Sequence, residues 1–362
     1  MITVLSSASA RPNFVKLAAV HHALKGRKDV KHVIVHTGQH YDPLLSDIFF
    51  KQLEIDEPAY NLGVKGGATR EETIEATAKA FEIPLKEVKP DIVLVYGDVN
   101  GAVGAARAAK KAGIKIGHVE AGLRSFDREM PEELNRIEID QIADELFITE
   151  KSAEENIRKE KLKGRVHFVG NTMIDTLIRM MPMIDAEEIP SYLSKDFAVA
   201  TLHRPSNVDN PGDLLKIIEF LGRVDKSTSI VLPMHPRFYQ AIIKPNPEHP
   251  SAVPLLSLRY PIEPLAYIPF LKLMKSAQFV VTDSGGIQEE AAFLGKRCFT
   301  MRRNTERPST IGSGSNVLID PSNEVDRKKV LDFAKNPEKI SVKIPEKWDG
   351  KAGERIAEVL LG

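Results

Sequence analysis

The sequence predicts an α/β protein of two doubly wound domains, and three observations carry that prediction. Short apolar runs alternate with segments of helix length, the pattern of a parallel sheet covered by helices on both faces. The alternation comes as two series separated by a proline-broken stretch. At 362 residues the chain also exceeds what a single core comfortably serves.

In the first series, strands are expected at Ile2 to Leu5, His32 to His36, Ile92 to Tyr96, Lys115 to Val119, Leu146 to Thr149 and Val166 to Val169. The intervening helices are expected near Phe14 to Leu24, Pro43 to Leu53, Glu71 to Phe81, Ala102 to Lys111, Pro131 to Ala143 and Ser152 to Lys159. Asn171 to Lys195, with its Met-Pro-Met and Ile-Pro-Ser breaks, is expected to be the linker. The second series places strands at Phe197 to Thr201, Ile230 to Pro233, Phe279 to Val281 and Arg297 to Thr300. Its helices fall near Gly212 to Leu221, Pro269 to Lys275 and Ile287 to Leu294. The domains are thus expected at 1–170 and 196–345. Residues 346–362 carry a helix from Ala352 to Leu361 whose apolar face should pack back toward the N-terminal domain.

Composition narrows the function. Lys and Arg together number 50, as do Asp and Glu, so the formal net charge is +0 and no global field draws in nucleic acid or an anionic membrane. Neither partner is expected. The single cysteine, Cys298, excludes an internal disulfide framework and a Cys-rich zinc site, which fits a reducing compartment. Met1 to Leu5 lacks the basic start and apolar core of a signal peptide, and no run approaches membrane-spanning length. A cytoplasmic location is expected.

The most informative stretch is Val281-Thr282-Asp283-Ser284-Gly285-Gly286-Ile287-Gln288-Glu289-Glu290, where an apolar strand stops at two glycines and a helix begins. Such a turn seats a phosphate, since glycines let backbone amides approach an anion and the helix adds its unpaired N–H groups. Glu290, one turn further in, suits a ribose hydroxyl. The plainer reading is a solvated turn ending in an ordinary helix N-cap.

Ligands of open parallel sheets sit outside the carboxyl ends of the strands. Arg11 and Lys16 follow the first strand here, Asp98 follows Tyr96, Glu120 follows Val119, His203 follows Thr201 and His235 follows Pro233. Asp98, Glu120 and Glu132 are expected to point into an interdomain crevice, with His203 and the Ser284-Gly285-Gly286 turn on the other wall. Arg11, Lys16 and Arg307 would then meet a departing diphosphate. Each of these residues also has a plain reading as surface solvation. No Gly-x-Gly-x-x-Gly and no Walker loop is present, which leaves nicotinamide and phosphoryl-transfer chemistry unsupported. His21 and His22 are adjacent and cannot share a helical metal face, so neither a metal nor a cofactor is expected.

Taken together, the chain resembles the non-hydrolysing UDP-N-acetylglucosamine 2-epimerase family. The motifs that carry the resemblance are Ala10-Arg11-Pro12-Asn13-Phe14 with Lys16, Thr37-Gly38-Gln39-His40-Tyr41-Asp42, Tyr96-Gly97-Asp98-Val99-Asn100 and the run from His118 to Asp127. They continue through Met130-Pro131-Glu132-Glu133-Leu134-Asn135-Arg136, Gly170-Asn171-Thr172, Thr201 to Asn207, His235-Pro236-Arg237, the Ser-Gly-Gly turn and Thr305-Glu306-Arg307-Pro308. The resemblance implies the GT-B fold, a UDP-sugar substrate, a homodimer, and loss and return of UDP through a 2-acetamidoglucal. By the same resemblance Asp98, Glu120 and Glu132 exchange protons and His203 assists the phosphate, with Arg11 and Lys16 beside the diphosphate. UDP contacts carry over to Ser284, Gly285, Gly286 and Glu290, Arg307 lies near the phosphate or sugar, His235 near the diphosphate, and Phe270 meets uracil through its backbone. Phe270 has an alternative reading as core filler in an apolar helix.

Departures from the family pattern stand at Ser206 and Asn13, where many members carry an acid, and in a short loop between Glu120 and Glu132. They resemble the branch that acts on UDP-2,3-diacetamido uronic acids, which is the alternative substrate. From another class, a GT-B glycosyltransferase would call for a basic or amphipathic acceptor face, and none is concentrated in the sequence.

Overall fold

The structure, a computed structural model, describes residues 1–38, 49–67, 69–243 and 258–362. Gln39 to Asp42 of one family motif, and residues 43–48 of the helix expected from Pro43, lie outside the described residues. The chain divides into two compact units, Met1–Met180 with Pro345–Gly362, and Met181–Ile344.

Unit 1 runs β1 (Ile2–Ala8), α1 (Arg11–Leu24), β2 (Val30–His36), β3 (Tyr60–Asn61), α2 (Arg70–Val88), β4 (Ile92–Tyr96), α3 (Asn100–Lys111), β5 (Lys115–Val119), α4 (Pro131–Ile142), β6 (Glu145–Ile148), α5 (Lys151–Glu160) and β7 (Arg165–Phe168). Its strands form one parallel sheet in the order β3-β2-β1-β4-β5-β6-β7. Every residue of β4 is buried, as a strand covered on both faces requires. A capping box starts α2: Thr69 Oγ1 accepts from the Glu72 amide while Glu72 Oε2 accepts from the Thr69 amide, both at 3.2 Å. The chain leaves β1 toward β2 on one side and returns to β4 on the other, so β1 and β4 flank the switch point where such sheets bind ligands.

α6 (Thr172–Ala186) carries the chain across the boundary into unit 2. There follow β8 (Phe197–Thr201), α7 (Pro205–Val208), α8 (Pro211–Asp225), β9 (Ser229–Pro233), α9 (Pro236–Ile243), β10 (Tyr260–Ile262), α10 (Tyr267–Ser276), β11 (Phe279–Thr282), α11 (Gly285–Phe293), β12 (Arg297–Thr300), α12 (Pro308–Gly312), β13 (Asn316–Leu318) and α13 (Glu324–Lys335). The second sheet is also parallel, ordered β10-β9-β8-β11-β12-β13, with its switch point between β8 and β11. Phe279, Phe299 and Phe333 meet edge to face in its core, with centroids 5.5 to 5.9 Å apart.

α14 (Ala352–Leu361) belongs to unit 1 and packs on α1. Asp175 Oδ2 accepts from the Gly353 amide at 2.8 Å, and Arg355 donates to the Val169 carbonyl at 2.9 Å. Among the described residues, no helix is long and apolar enough to cross a membrane and no group of three metal-ligating side chains converges.

Three differences from the sequence reading have physical causes. The stretch expected as a linker contains α6, with Pro182 inside it. A proline in a helix costs about 3 kcal/mol. Met173, Ile174, Leu177, Met180 and Ile184 are all buried along α6, each stabilising by about 1.5–3 kcal/mol, so burial wins. Pro84 is carried inside α2 in the same way, with Phe81 and Leu85 buried beside it. Finally, β1 extends past Leu5 through Ser6, Ser7 and Ala8, all buried, so the loop after it begins at Ser9.

Candidate active site

In unit 1 the site is built at the β1/β4 switch point around Gly97, which follows β4. Gly97 has φ +65°, and a Cβ there would lie 2.7 Å from Lys16 Nζ and 3.7 Å from Glu120 Oε1. Only a residue without a side chain lets those two groups come so close to the peptide that precedes Asp98. Lys16 Nζ donates to Glu120 Oε1 at 2.8 Å, with both side chains buried. Glu120 itself has φ +76°, and its amide donates to the Phe147 carbonyl at 3.0 Å. That unusual backbone conformation aims the carboxylate sideways toward β4 instead of along β5. Asn13 closes the floor, donating to the Tyr96 carbonyl at 2.7 Å and accepting from the Ala10 amide at 2.9 Å. The Arg11 guanidinium lies 5.6 Å from the Phe49 ring centroid.

Asp98 keeps about one fifth of its side chain exposed and is ion-paired with Arg136 through Oδ2. Arg136 also donates to Glu133 Oε2 at 2.7 Å. Glu133 in turn accepts from the Ser125 amide at 2.9 Å and the Phe126 amide at 3.0 Å, which fixes the turn that holds Phe126 at φ +60°. Glu132 is half-buried in the first turn of α4, where the helix dipole favours a carboxylate. Behind them, fully buried His118 offers Nδ1 to Asp140 Oδ1 at 2.6 Å and Nε2 to the Gly97 carbonyl at 2.8 Å. Burial pushes the Asp140 carboxyl up, but His118 and Arg124 outweigh it and hold the group below the usual carboxylate range.

In unit 2 the equivalent position, between β8 and β11, is organised by Asp283. Its buried carboxylate accepts from the amides of His203 at 3.0 Å and Arg204 at 2.8 Å, from Asn207 Nδ2 at 3.0 Å, and pairs with His203 Nδ1 at 3.0 Å. Burial alone would raise this carboxyl; hydrogen bonds from His203, Asn207 and Arg204 hold it below its ordinary value. The pairing leaves His203 Nε2 as the ring atom free of Asp283, and the His235 ring lies 5.0 Å from the His203 ring.

Ser284 is the N-cap of α11, with no side-chain cap on the first turn, and Gly285 and Gly286 open the helix. A Cβ on Gly285 would lie 2.5 Å from Glu306 Oε1. Gln288 Nε2 holds the Ser284 carbonyl at 3.0 Å. Arg307 is buried against Glu289, 3.2 Å from Nε to Oε1. Glu290 is buried beside Tyr267; loss of solvent pushes its carboxyl up to about 7, against the lowering effect of the Tyr267 hydrogen bond. Phe270 lies on α10 with its side chain partly buried against Leu193, Phe197 and Leu273.

The structure thus brings Lys16, Asp98 and Glu120 together in unit 1, and His203, His235 and the Ser-Gly-Gly turn together in unit 2. The Phe270 side chain is partly buried against the unit 2 core. Sequence reasoning passed over Arg136, His118, Asp140, Asp283 as a partner of His203, and Asn207. Arg136 had one available signal, its spacing of four residues from Glu132 on a helix; the others rest on long-range pairing.

Comparison with known proteins identifies the family of the chain. A model of the UDP-N-acetylglucosamine 2-epimerase family matches residues 22–361. The UDP-N-acetylglucosamine 2-epimerase of Methanococcus maripaludis is 38% identical over 374 aligned residues, covering 97% of this chain and 96% of its own. The UDP-2,3-diacetamido-2,3-dideoxy-D-glucuronate 2-epimerase of Pseudomonas aeruginosa is 36% identical, covering 99% of both chains. The crystal structure of Methanocaldococcus jannaschii UDP-GlcNAc 2-epimerase in complex with UDP-GlcNAc and UDP aligns with a TM-score of 0.90 at 34% identity, over 100% of this chain and 99% of that one. With a family match along nearly its whole length and such relatives across theirs, this chain belongs to the UDP-N-acetylglucosamine 2-epimerase family, isomerases built of two Rossmann-like domains of the GT-B type.

Proposed function

We propose that this enzyme inverts C2 of a UDP-activated N-acetylhexosamine, interconverting UDP-GlcNAc and UDP-ManNAc. The observation that carries the reading is the gathering of Asp98, Glu120 and Lys16 around Gly97 at the unit 1 switch point. In the first half of the reaction the C1–O bond breaks and its electron pair leaves with UDP. The C2 proton passes to a carboxylate, and its bonding pair becomes the C1=C2 bond of 2-acetamidoglucal. In the second half an acid on the other face returns a proton to C2, and a phosphate oxygen of UDP adds to C1.

A carboxylate of ordinary basicity cannot remove an unactivated C–H proton, but the oxocarbenium-like centre left by UDP acidifies C2 and is itself stabilised by nearby carboxylates. We assign the proton transfers to Asp98, Glu120 and Glu132. Arg11 and Lys16 meet the diphosphate charge, and His203, oriented by Asp283, assists the phosphate. UDP is held by Ser284, Gly285, Gly286 and Glu290, with Arg307, His235 and the Phe270 backbone alongside. The reading includes a cytoplasmic homodimer that supplies precursors for cell-surface polysaccharide, and sedimentation tests its assembly.

Proton NMR in D2O decides the chemistry: UDP-ManNAc should appear from UDP-GlcNAc with deuterium at C2. Product without deuterium rejects the mechanism, and no product rejects UDP-GlcNAc as the substrate. The P. aeruginosa relative supports a second reading, in which the substrate is the UDP-diacetamido uronate. Offering purified enzyme both nucleotide sugars and comparing kcat/KM separates the two.

A further inference from the structure

Among the described residues Arg136 is the bulkiest fully buried side chain. A buried ion-pair cluster is weak evidence for stability, because well-packed apolar replacements are often as stable or more so. Its contacts point elsewhere. Nη2 donates to Asp98 Oδ2, and Nη1 donates to Glu133 Oε2 at 2.7 Å and to the Leu123 carbonyl at 3.4 Å. Two neighbours hold the same residue from other sides. Asn135 Nδ2 donates to the Asp98 carbonyl at 2.8 Å, and His118 Nε2 faces the Gly97 carbonyl at 2.8 Å. The peptide before Asp98, the carbonyl after it and one oxygen of its carboxylate are therefore each fixed, while part of that side chain stays open to solvent. On α4, Glu132 lies one helical turn before Arg136 and on the same side.

We propose that Arg136 is a positioning residue for epimerisation: it locks the Asp98 carboxylate in one orientation and couples it to the helix that bears Glu132. The inference rests on the reading of Asp98 as an acid/base group. The fork shape of the guanidinium is the essential property. Nη1 and Nη2 engage two different carboxylates, a geometry that the single point charge of lysine does not reproduce.

The test is steady-state epimerisation of UDP-GlcNAc by Arg136→Lys, Asp98→Asn and the double variant, with a urea midpoint for each. Arg136→Lys should lower kcat by roughly a hundredfold, the loss that follows about 1 Å of misplacement. KM should stay within about twofold, because no substrate contact is removed. In the double variant the lysine should add nothing to the loss from Asp98→Asn. A loss expressed in KM, or one that multiplies through the double variant, overturns the proposal. An Asp98→Asn enzyme of normal turnover overturns instead the acid/base reading beneath it. Should Arg136→Lys fail to fold, Glu133→Gln/Arg136→Met removes both buried charges at similar volume and is judged by the same kcat and KM criteria.

Discussion

The two switch points share one topology and differ in what stands around them. In unit 1 the space beyond β1 and β4 is filled by side-chain charges: Lys16 on Glu120, and Arg136 on Asp98. In unit 2 the space beyond β8 and β11 is framed by main chain, with amides of His203 and Arg204 gathered on Asp283 and a Ser-Gly-Gly turn opening α11. Side-chain carboxylates can exchange protons, whereas backbone amides can bind charge but not transfer it. On the proposed reading, two sheets of the same kind divide labour by what stands at the strand ends.

The largest effect that could break this comparison is Asp98→Asn. It should cost roughly 10²–10⁴ in kcat, the usual worth of a positioned acid or base, while calorimetry finds UDP affinity unchanged. A parallel loss of UDP binding would mean that Asp98 itself holds the nucleotide and that its role is not confined to proton transfer. Next, Gly97→Ala and Gly285→Ala form a matched pair. A methyl at 97 meets Lys16 Nζ at 2.7 Å and a positive φ, so it should part Lys16 from Glu120 and lower kcat by about tenfold or more. A methyl at 285 meets Glu306 Oε1 at 2.5 Å, so it should raise the Kd for UDP by about tenfold, close to 1.4 kcal/mol, with a smaller change in kcat. If the two substitutions exchange effects, the division of labour is wrong.

The smallest effect is on stability against pH, and its sign separates two particular buried sites, one in each unit. In unit 1, His21 is buried and His32 partly buried; they are hydrogen-bonded Nδ1 to Nδ1 at 3.3 Å and packed near His22, Lys25, Asp56 and Arg179. Desolvation lowers them to about 4 and about 3 respectively. Unfolded histidine takes its proton near pH 6.5, so the stability they contribute is complete above that pH and is lost as pH falls from 6.5 toward 4. In unit 2, burial raises Glu290 to about 7. Its contribution is complete below about pH 4.5 and is lost as pH rises from 4.5 to 7. Glu290→Gln should therefore gain on the parent by about 1–3 kcal/mol across that rise, and His32→Gln should flatten the acid loss. Urea titrations between pH 5 and 8 check both; a Glu290→Gln advantage that shrinks with rising pH would refute the assignment.

Most of the architecture was readable because β-branched runs such as Ile92 to Tyr96 announce a strand buried on both faces. The missed strands, β3, β10 and β13, are edge strands of two or three residues, and β10 holds Pro261, so neither period nor propensity marks them. In the site, Asp98, Glu120 and His203 were readable as polar residues within two positions of a strand's end. The groups that aim them were not. His118 pairs with Asp140 across 22 residues and Asp283 with Asn207 across 76, and a buried polar residue in an apolar strand carries no local sign of its distant partner. Glu290 shows the same limit: its place after the glycines was legible, its burial against Tyr267 was not.

The return of α14 to cover α1 sets an order of assembly on the ribosome. Unit 2 is one unbroken stretch of polypeptide, so its last residue leaves the ribosome before residues 345–362 that unit 1 still awaits. Until α14 arrives, α1 has an uncovered flank and Asp175 has no helix to cap. On the proposed assignment, a nascent chain acquires its grip on the nucleotide before it acquires the means to epimerise it.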